Sequence, residues 1–289
     1  MQKLTKSTLC VMDIETGEVT KIKTFDRLIE APNWMKNDTD TLIYNYGGYI
    51  WKYRISEDAE EMIPSGNCIN CNNDHVLSPD NSRIAVSHSQ SGWMSQIYIL
   101  PISGGTPKLI TPNAPSFLHG WSPDGEDLAY CAFRDHGSGM EVDVYSICAE
   151  GGDEIRLTKD AGFNDGPEYA PNGKHIWFNS TRSGLMQCWR MNRDGSDPVQ
   201  MTFSDRNNWF PHVSPDGNKV VYISYRKEDL RPEEHLPNLY VQLRLMNADG
   251  TEDRELLEFF GGQGTINVNS WNADSKRFAF VMYDPAYPY

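Results

Sequence analysis

Short apolar and aromatic runs bounded by turn residues recur along the chain and read as β-strands: Arg83-Ile84-Ala85-Val86, Asp127-Leu128-Ala129-Tyr130, Val220-Val221-Tyr222-Ile223 and Phe278-Ala279-Phe280-Val281. Each follows a version of one tetrapeptide. Ser-Pro-Asp-Gly stands at 122–125 and 214–217, with worn copies at 78–81, 170–173 and 272–275. A shorter apolar segment precedes each copy, as at Leu118 to Trp121 and Phe210 to Val213. The motif therefore reads as the hairpin turn between strands A and B of a unit: proline presets φ, Asp or Asn bonds the backbone ahead, and glycine takes positive φ. A third strand follows (Ile97 to Leu100, Val144 to Ile147, Cys188 to Met191, Leu243 to Met246). It ends in Gly-Gly or Asp-Gly before a fourth that closes on Ile110-Thr111, Leu157-Thr158 or Met201-Thr202.

Successive copies lie 44, 48, 44 and 58 residues apart, measured at Pro79, Pro123, Pro171, Pro215 and Ala273. That is the period of a four-stranded propeller blade. The spacing predicts an all-β, six-bladed β-propeller in one domain, 1–289. Blades one to five fall at 28–66, 67–111, 112–158, 159–202 and 203–258. The sixth combines 259–289 with 1–27, because the chain ends after two strands while Thr8 to Asp13 and Val19 to Ile22 supply strands C and D. Closure of this kind leaves only short, protected edges.

The pattern Trp-Ser-Pro-Asp-Gly, apolar strand, aromatic strand, Asp-Gly or Gly-Gly, Leu-Thr resembles the propeller repeat of the TolB family. The same repeat occurs in the N-terminal propellers of prolyl-oligopeptidase-type enzymes. Here it covers nearly the whole chain as a stand-alone ring. The resemblance implies the fold. For function it implies a range, since such propellers serve as protein docking platforms, substrate filters and lyase active sites.

Composition narrows that range. The formal charge of −14 opposes nucleic-acid binding, which needs a basic surface to displace counterions. No signal-peptide pattern and no 18-residue apolar run is present, so the chain is expected to be neither secreted nor membrane-spanning. Six cysteines without framework spacing suit a reducing cytoplasm, and Cys68-Ile-Asn-Cys71 lacks the second pair that a zinc site would use. There is no G-x-S-x-G elbow, Walker loop or dinucleotide fingerprint.

Propeller loops divide between two faces: D–A and B–C loops open on one, A–B and C–D turns on the other. Six of the seven histidines fall on the first. His75, His119 and His212 stand at the entry to strand A, with Glu168 in blade four, and are expected to ring the channel mouth. His235 lies in the blade-five insertion from Arg226 to Asn238, which is long enough to act as a partial lid. Imidazoles and a carboxylate so gathered are candidate ligands for one divalent cation, manganese, zinc or calcium, with Glu168 as a further ligand or catalytic base. Arg134, Arg182 and Arg226 follow strand B in successive blades and are placed to grip a carboxylate or sugar acid, or else to form ion pairs within their loops. Asn208 and Trp209 in a D–A loop offer polar contacts and a stacking platform, and the glycine-rich connector 259–267 turns Gln263 and Asn269 to the mouth.

Two functions follow. The first is a binding module that takes a small polar or carbohydrate-type ligand, or a protein segment, at the channel mouth. The second is a metal-dependent enzyme acting on a sugar or uronate. Oligogalacturonate lyase is similar in joining a TolB-like propeller to a manganese site of histidine and glutamine, but has seven blades and shares no long motif with this chain. The residues alone leave enzyme and binding module both open.

Overall fold

The structure, a computed structural model, describes residues 6–36, 38–137, 139–159 and 162–285. Six antiparallel sheets succeed one another as blades, and no helix occurs among the described residues. Blade one holds β3 (Glu30–Trp34), β4 (Thr41–Tyr46), β5 (Tyr49–Arg54) and β6 (Ala59–Met62); blade two holds β7 (Cys71–Leu77), β8 (Arg83–Ser89), β9 (Ser95–Pro101) and β10 (Lys108–Leu109). Blade three holds β11 (Ser116–Trp121), β12 (Asp127–Asp135), β13 (Met140–Cys148) and β14 (Ile155–Arg156). Blade four holds β15 (Asn164–Tyr169), β16 (His175–Ser183), β17 (Leu185–Asn192) and β18 (Val199–Gln200); blade five holds β19 (Arg206–Val213), β20 (Lys219–Arg226), β21 (Pro237–Asn247) and β22 (Arg254–Gly262).

The sixth blade is assembled from both ends of the chain. Strand β23 (Arg277–Tyr283) pairs antiparallel with β1 (Ser7–Asp13) from Ser7↔Tyr283 to Asp13↔Arg277, and β1 pairs with β2 (Val19–Phe25). Its innermost strand is reduced to a bridge, Trp271↔Phe278, reinforced by the Ser270 hydroxyl donating to the Ala279 carbonyl. Phe259 to Gly262, expected in a connector, instead extend β22, because the long β21 gives them pairing partners up to Pro237.

The apolar core lies between blades rather than within one. Six buried clusters each join neighbouring sheets, as where Ile97, Ile99 and Ile110 of blade two meet Leu118, Leu128 and Tyr130 of blade three. This is why the B strands read as unbroken apolar runs: both of their faces are covered, so alternation disappears. The outermost strands β10, β14 and β18 are two residues long and largely exposed.

The repeated turn is a hydrogen-bonded device. In Ser78, Ser122 and Ser214 the hydroxyl donates to the Asp two residues on and accepts the backbone N–H five residues on, at Arg83, Asp127 and Lys219. The fourth position is left-handed throughout, at Gly125, Gly173 and Gly217 and, in worn copies, at Asn81 and Ser275. At the outer edge Thr111, Thr158 and Thr202 accept the N–H of Ile97, Val144 and Cys188 with their hydroxyls, fixing strand D to strand C.

Candidate functional site

The innermost strands put one residue after another against the central channel. A cavity of about 300 Å³ occupies its upper part. Its rim is formed by Pro79, Pro123, Pro171, Pro215 and Ala273, the second residue of each repeat turn, with Lys36 completing the circle from blade one. Below them Trp34, Trp121, Tyr169 and Trp271, each the residue before a turn or its blade-one counterpart, supply aromatic walls. The cavity therefore opens on the face of the repeat turns, opposite to the face on which the histidine count had placed the mouth.

Few polar groups enter this cavity. Glu168 is anchored on three sides: His212 Nδ1 stands 2.6 Å from one oxygen, while the other accepts the Val213 N–H at 2.9 Å and the Asn269 amide at 2.7 Å. Asn33 is tied to the Asn269 carbonyl and keeps its own oxygen buried without a partner. Burial lowers the Lys36 pKa, opposed by the carboxylates of Glu168 and Asp80. His119 closes the floor.

Beneath the floor the channel is polar and closed. His119 Nε2 lies 3.1 Å from Asp165, and its ring stacks on Phe210 at 5.7 Å between centroids. Burial works against the imidazolium, but Asp74 and Asp165 outweigh it and raise the His119 pKa. Burial likewise opposes ionisation of Asp165, yet His119 and His235 hold its carboxyl down at about 2. Asp74 is pushed up by burial although Asn72 and Asn267 donate to it at 2.5 and 2.6 Å. Glu30 is pushed up to about 7 by burial, with Asp74 adding to the effect.

β-Bulges bring these groups inward. Pairing slips between Glu30 and Asn33, Cys71 and His75, Leu118 and Gly120, Asp165 and Glu168, and Trp209 and His212. In blades one, four and five the bulge carries a left-handed residue followed by proline, at Ala31, Gly166 and Phe210. Such bulges re-aim side chains beside functional sites, and a bulky residue in this region, as Phe210 is, marks enforced geometry.

The histidines are not brought to one point. His212 is saturated, with Nδ1 on Glu168 and Nε2 2.8 Å from the Ile266 carbonyl, so neither nitrogen is free for a metal. His75 is enclosed, forms no side-chain hydrogen bond within normal reach, and burial drives its pKa down to about 4. The physical reason is register. His75 and His119 stand three residues before Ser78 and Ser122, whereas Glu168 and His212 stand two before Ala170 and Ser214, and a one-residue step on a strand redirects the side chain. His119 and His235 do approach each other through Asp165.

The three arginines are likewise dispersed. Arg134 is spent on Glu154 at 2.5 Å, the Pro115 carbonyl and the Ser116 hydroxyl. Arg182 bonds Ser180 and Asn164 and stacks on Trp189, and Arg226 forms an exposed pair with Glu258. Asn208 is buried in bonds to Gln187, Ser204 and Ser224, and Trp209 is wholly enclosed, so neither offers a surface to a ligand. Gln263 accepts the Tyr283 hydroxyl with its backbone carbonyl. The insertion loop does fold inward: the His235 ring packs edge-on against Trp209 and Phe210 at 4.5 and 5.2 Å.

Trp34, Lys36, Asp74, Trp121, Cys131, Tyr169 and Trp271 were not singled out from sequence. The aromatic residue just before the turn recurs in four blades and was the available signal.

The TolB β-propeller domain family matches residues 113–235. An uncharacterised protein of Agrobacterium fabrum is 42% identical over 281 residues, covering 97% of this chain and 93% of its own. A solved structure from Agrobacterium tumefaciens, provisionally assigned to TolB, superposes with a TM-score of 0.91 at 41% identity, over 97% of this chain and 99% of its own. An oligogalacturonate lyase in complex with manganese reaches a TM-score of 0.57 at 13% identity over 90% of this chain and 75% of its own, a likeness of fold alone.

Proposed function

This chain belongs to the family of TolB-like β-propellers, and from that premise we propose that it is a protein-docking propeller. It takes a segment of a partner protein into the channel mouth on the repeat-turn face. The observation that carries the reading is the cavity itself: about 300 Å³, walled by Trp34, Trp121, Tyr169 and Trp271 and collared by four prolines. A concave apolar site with a few fixed polar groups suits an anchoring side chain, and aromatic walls supply most of the energy at such contacts.

The chemistry of the segment follows from its surroundings. The walls accept one aromatic or branched aliphatic side chain. The Asn33, Lys36 and Asn269 side chains that line the cavity provide its polar surroundings for the flanking backbone. Asp80, Asp216 and Asp274 in the surrounding turns are held ionised by bonds within their own turns and Asp124 chiefly by Arg193, and the chain carries −14 overall, so basic residues beside the anchor are favoured. Free thiols at all six cysteines suit a reducing compartment. Among the described residues no helix is long and apolar enough to cross a membrane.

The test is selection of peptides from a random library on the purified full chain, followed by titration monitored at the tryptophan indole resonances. The expected result is an enriched apolar anchor with Lys or Arg beside it, perturbation of Trp34, Trp121 and Trp271, and loss of at least about tenfold in affinity for Trp121→Ala. Peptides that bind with those indoles undisturbed, or equally well to Trp121→Ala and Trp271→Ala, would refute it.

A further inference from the structure

The polar chamber under the cavity floor plays no part in docking a segment above it. His119 on β11, Cys131 on β12 and Asp165 on β15 bring a ring nitrogen, a sulfur and a carboxylate oxygen within 4.8 Å of one another, and all three residues are buried. A fourth donor arrives from the blade-five insertion. His235 Nε2 stands 3.8 Å from Asp165 Oδ2, beyond hydrogen-bond reach, and its Nδ1 is buried without a partner. The ring is held in that orientation by Trp209 and Phe210 rather than by any polar bond. An imidazole aimed at a carboxylate it does not touch leaves room for something between them.

Local charge points the same way. Asp74 and Glu30 lie in the same enclosed stretch as Asp165, within electrostatic reach of one another. Carboxyl groups closed away from water together are short of positive charge, which a dication would provide.

We propose that His119, Cys131, Asp165 and His235 form a binding site for one zinc-class divalent ion at the lower end of the channel. Thiolate and imidazole donors select zinc or cobalt over magnesium and calcium, which take oxygen ligands. Drawing the His235 ring in from its 3.8 Å distance to Asp165 adds a fourth ligand to the three donors already gathered, completes a tetrahedron and leaves no open position, so the ion is structural. It fastens the insertion loop to blades three and four and shuts the channel beneath the docking cavity. On binding, Cys131 ligates as the thiolate and its proton passes to solvent, while each histidine ligates through a neutral ring nitrogen. The set keeps His119 and His235 of the quartet expected from sequence and replaces His75 and His212.

The experiment titrates cobalt(II) into chelator-stripped full-length protein and follows the visible and near-ultraviolet spectrum. One equivalent is expected to produce tetrahedral d–d bands together with a thiolate-to-cobalt charge-transfer band. Cys131→Ser removes the charge-transfer band and Cys68→Ser does not. His235→Gln, whose side chain is partly exposed in a loop and so is tolerated by the fold, weakens binding at least about tenfold. No saturable binding at one equivalent, a charge-transfer band that survives Cys131→Ser, or full affinity in His235→Gln each overturns the proposal. Peptide binding to the cavity is read from separate resonances, so failure here leaves the docking reading standing.

Discussion

Glu30→Gln is expected to stabilise the protein, and only above the pH at which an ordinary glutamate ionises. The Glu30 carboxyl sits at the bulge of β3, 3.4 Å from the Asn73 amide and beside the Gly264 backbone. Burial moves its pKa from 4.5 to about 7. The unfolded chain therefore sheds this proton first, and between those two values the native state binds more protons than the unfolded state. Stability then falls as pH rises, because its slope follows the difference in bound protons, unfolded minus folded. The gap from 4.5 to about 7, at about 1.36 kcal/mol per pH unit, sets a ceiling of about 3 kcal/mol. Glutamine keeps the shape of the protonated acid and never ionises. Urea unfolding in chelator-containing buffer should show wild type and variant alike near pH 4.5 and the variant ahead by about 2–3 kcal/mol at pH 8. In thermal melts the same gain amounts to roughly 3–5 °C. A difference that stays flat across that range, or a variant less stable at pH 8, would show that the Glu30 carboxylate is accommodated by groups other than those facing it here.

His75 has the opposite sign. Burial depresses its pKa from 6.5 to about 4, so the stability it leaves intact at neutral pH is lost as pH falls through that interval, by about 3 kcal/mol at most; His75→Gln should flatten the acid limb of an unfolding series, and an unchanged limb counts against the assignment. The arginines separate structural from ligand roles. Arg134→Ala strands the nearly buried Glu154 and should cost about 3–5 kcal/mol in urea unfolding, whereas Arg226→Ala breaks an exposed pair and should cost less than about 1 kcal/mol. An Arg134→Ala protein of undiminished stability would return that guanidinium to the list of ligand contacts.

The blades were legible because their signals are local. A turn residue with positive φ, a serine that bonds two and five residues ahead, and an apolar run behind it all lie within about ten residues, so each copy declared its hairpin without reference to the rest of the ring. Even the shared sixth blade could be counted, since strands left over at one end must be matched by strands at the other. What local signals do not carry is the length of pairing. Phe259 to Gly262 looked like a glycine-rich connector, and became strand only because β21 extends back to Pro237 and offers partners.

The channel defeated the same reasoning for a reason specific to its strands. Strand A lines the channel through bulges, and each bulge adds a residue that resets which side chains turn inward. Counting back from the turn therefore gives reliable positions only up to the bulge. Trp34, Trp121, Tyr169 and Trp271 lie on the turn side of it and keep a common register, which makes them a ring. His75, His119, Glu168 and His212 lie at or next to it, and similar distances from the turn deliver one to a carbonyl and a glutamate, another to an aspartate, and a third to an enclosed position where its ring nitrogens form no hydrogen bond. Histidine identity suggested that His75, His119 and His212 converge, and backbone register keeps those three apart. The division of the channel into an apolar upper cavity and a polar lower chamber follows from the same cause, since the bulges mark the level at which side chains of fixed register give way to side chains that each blade aims for itself.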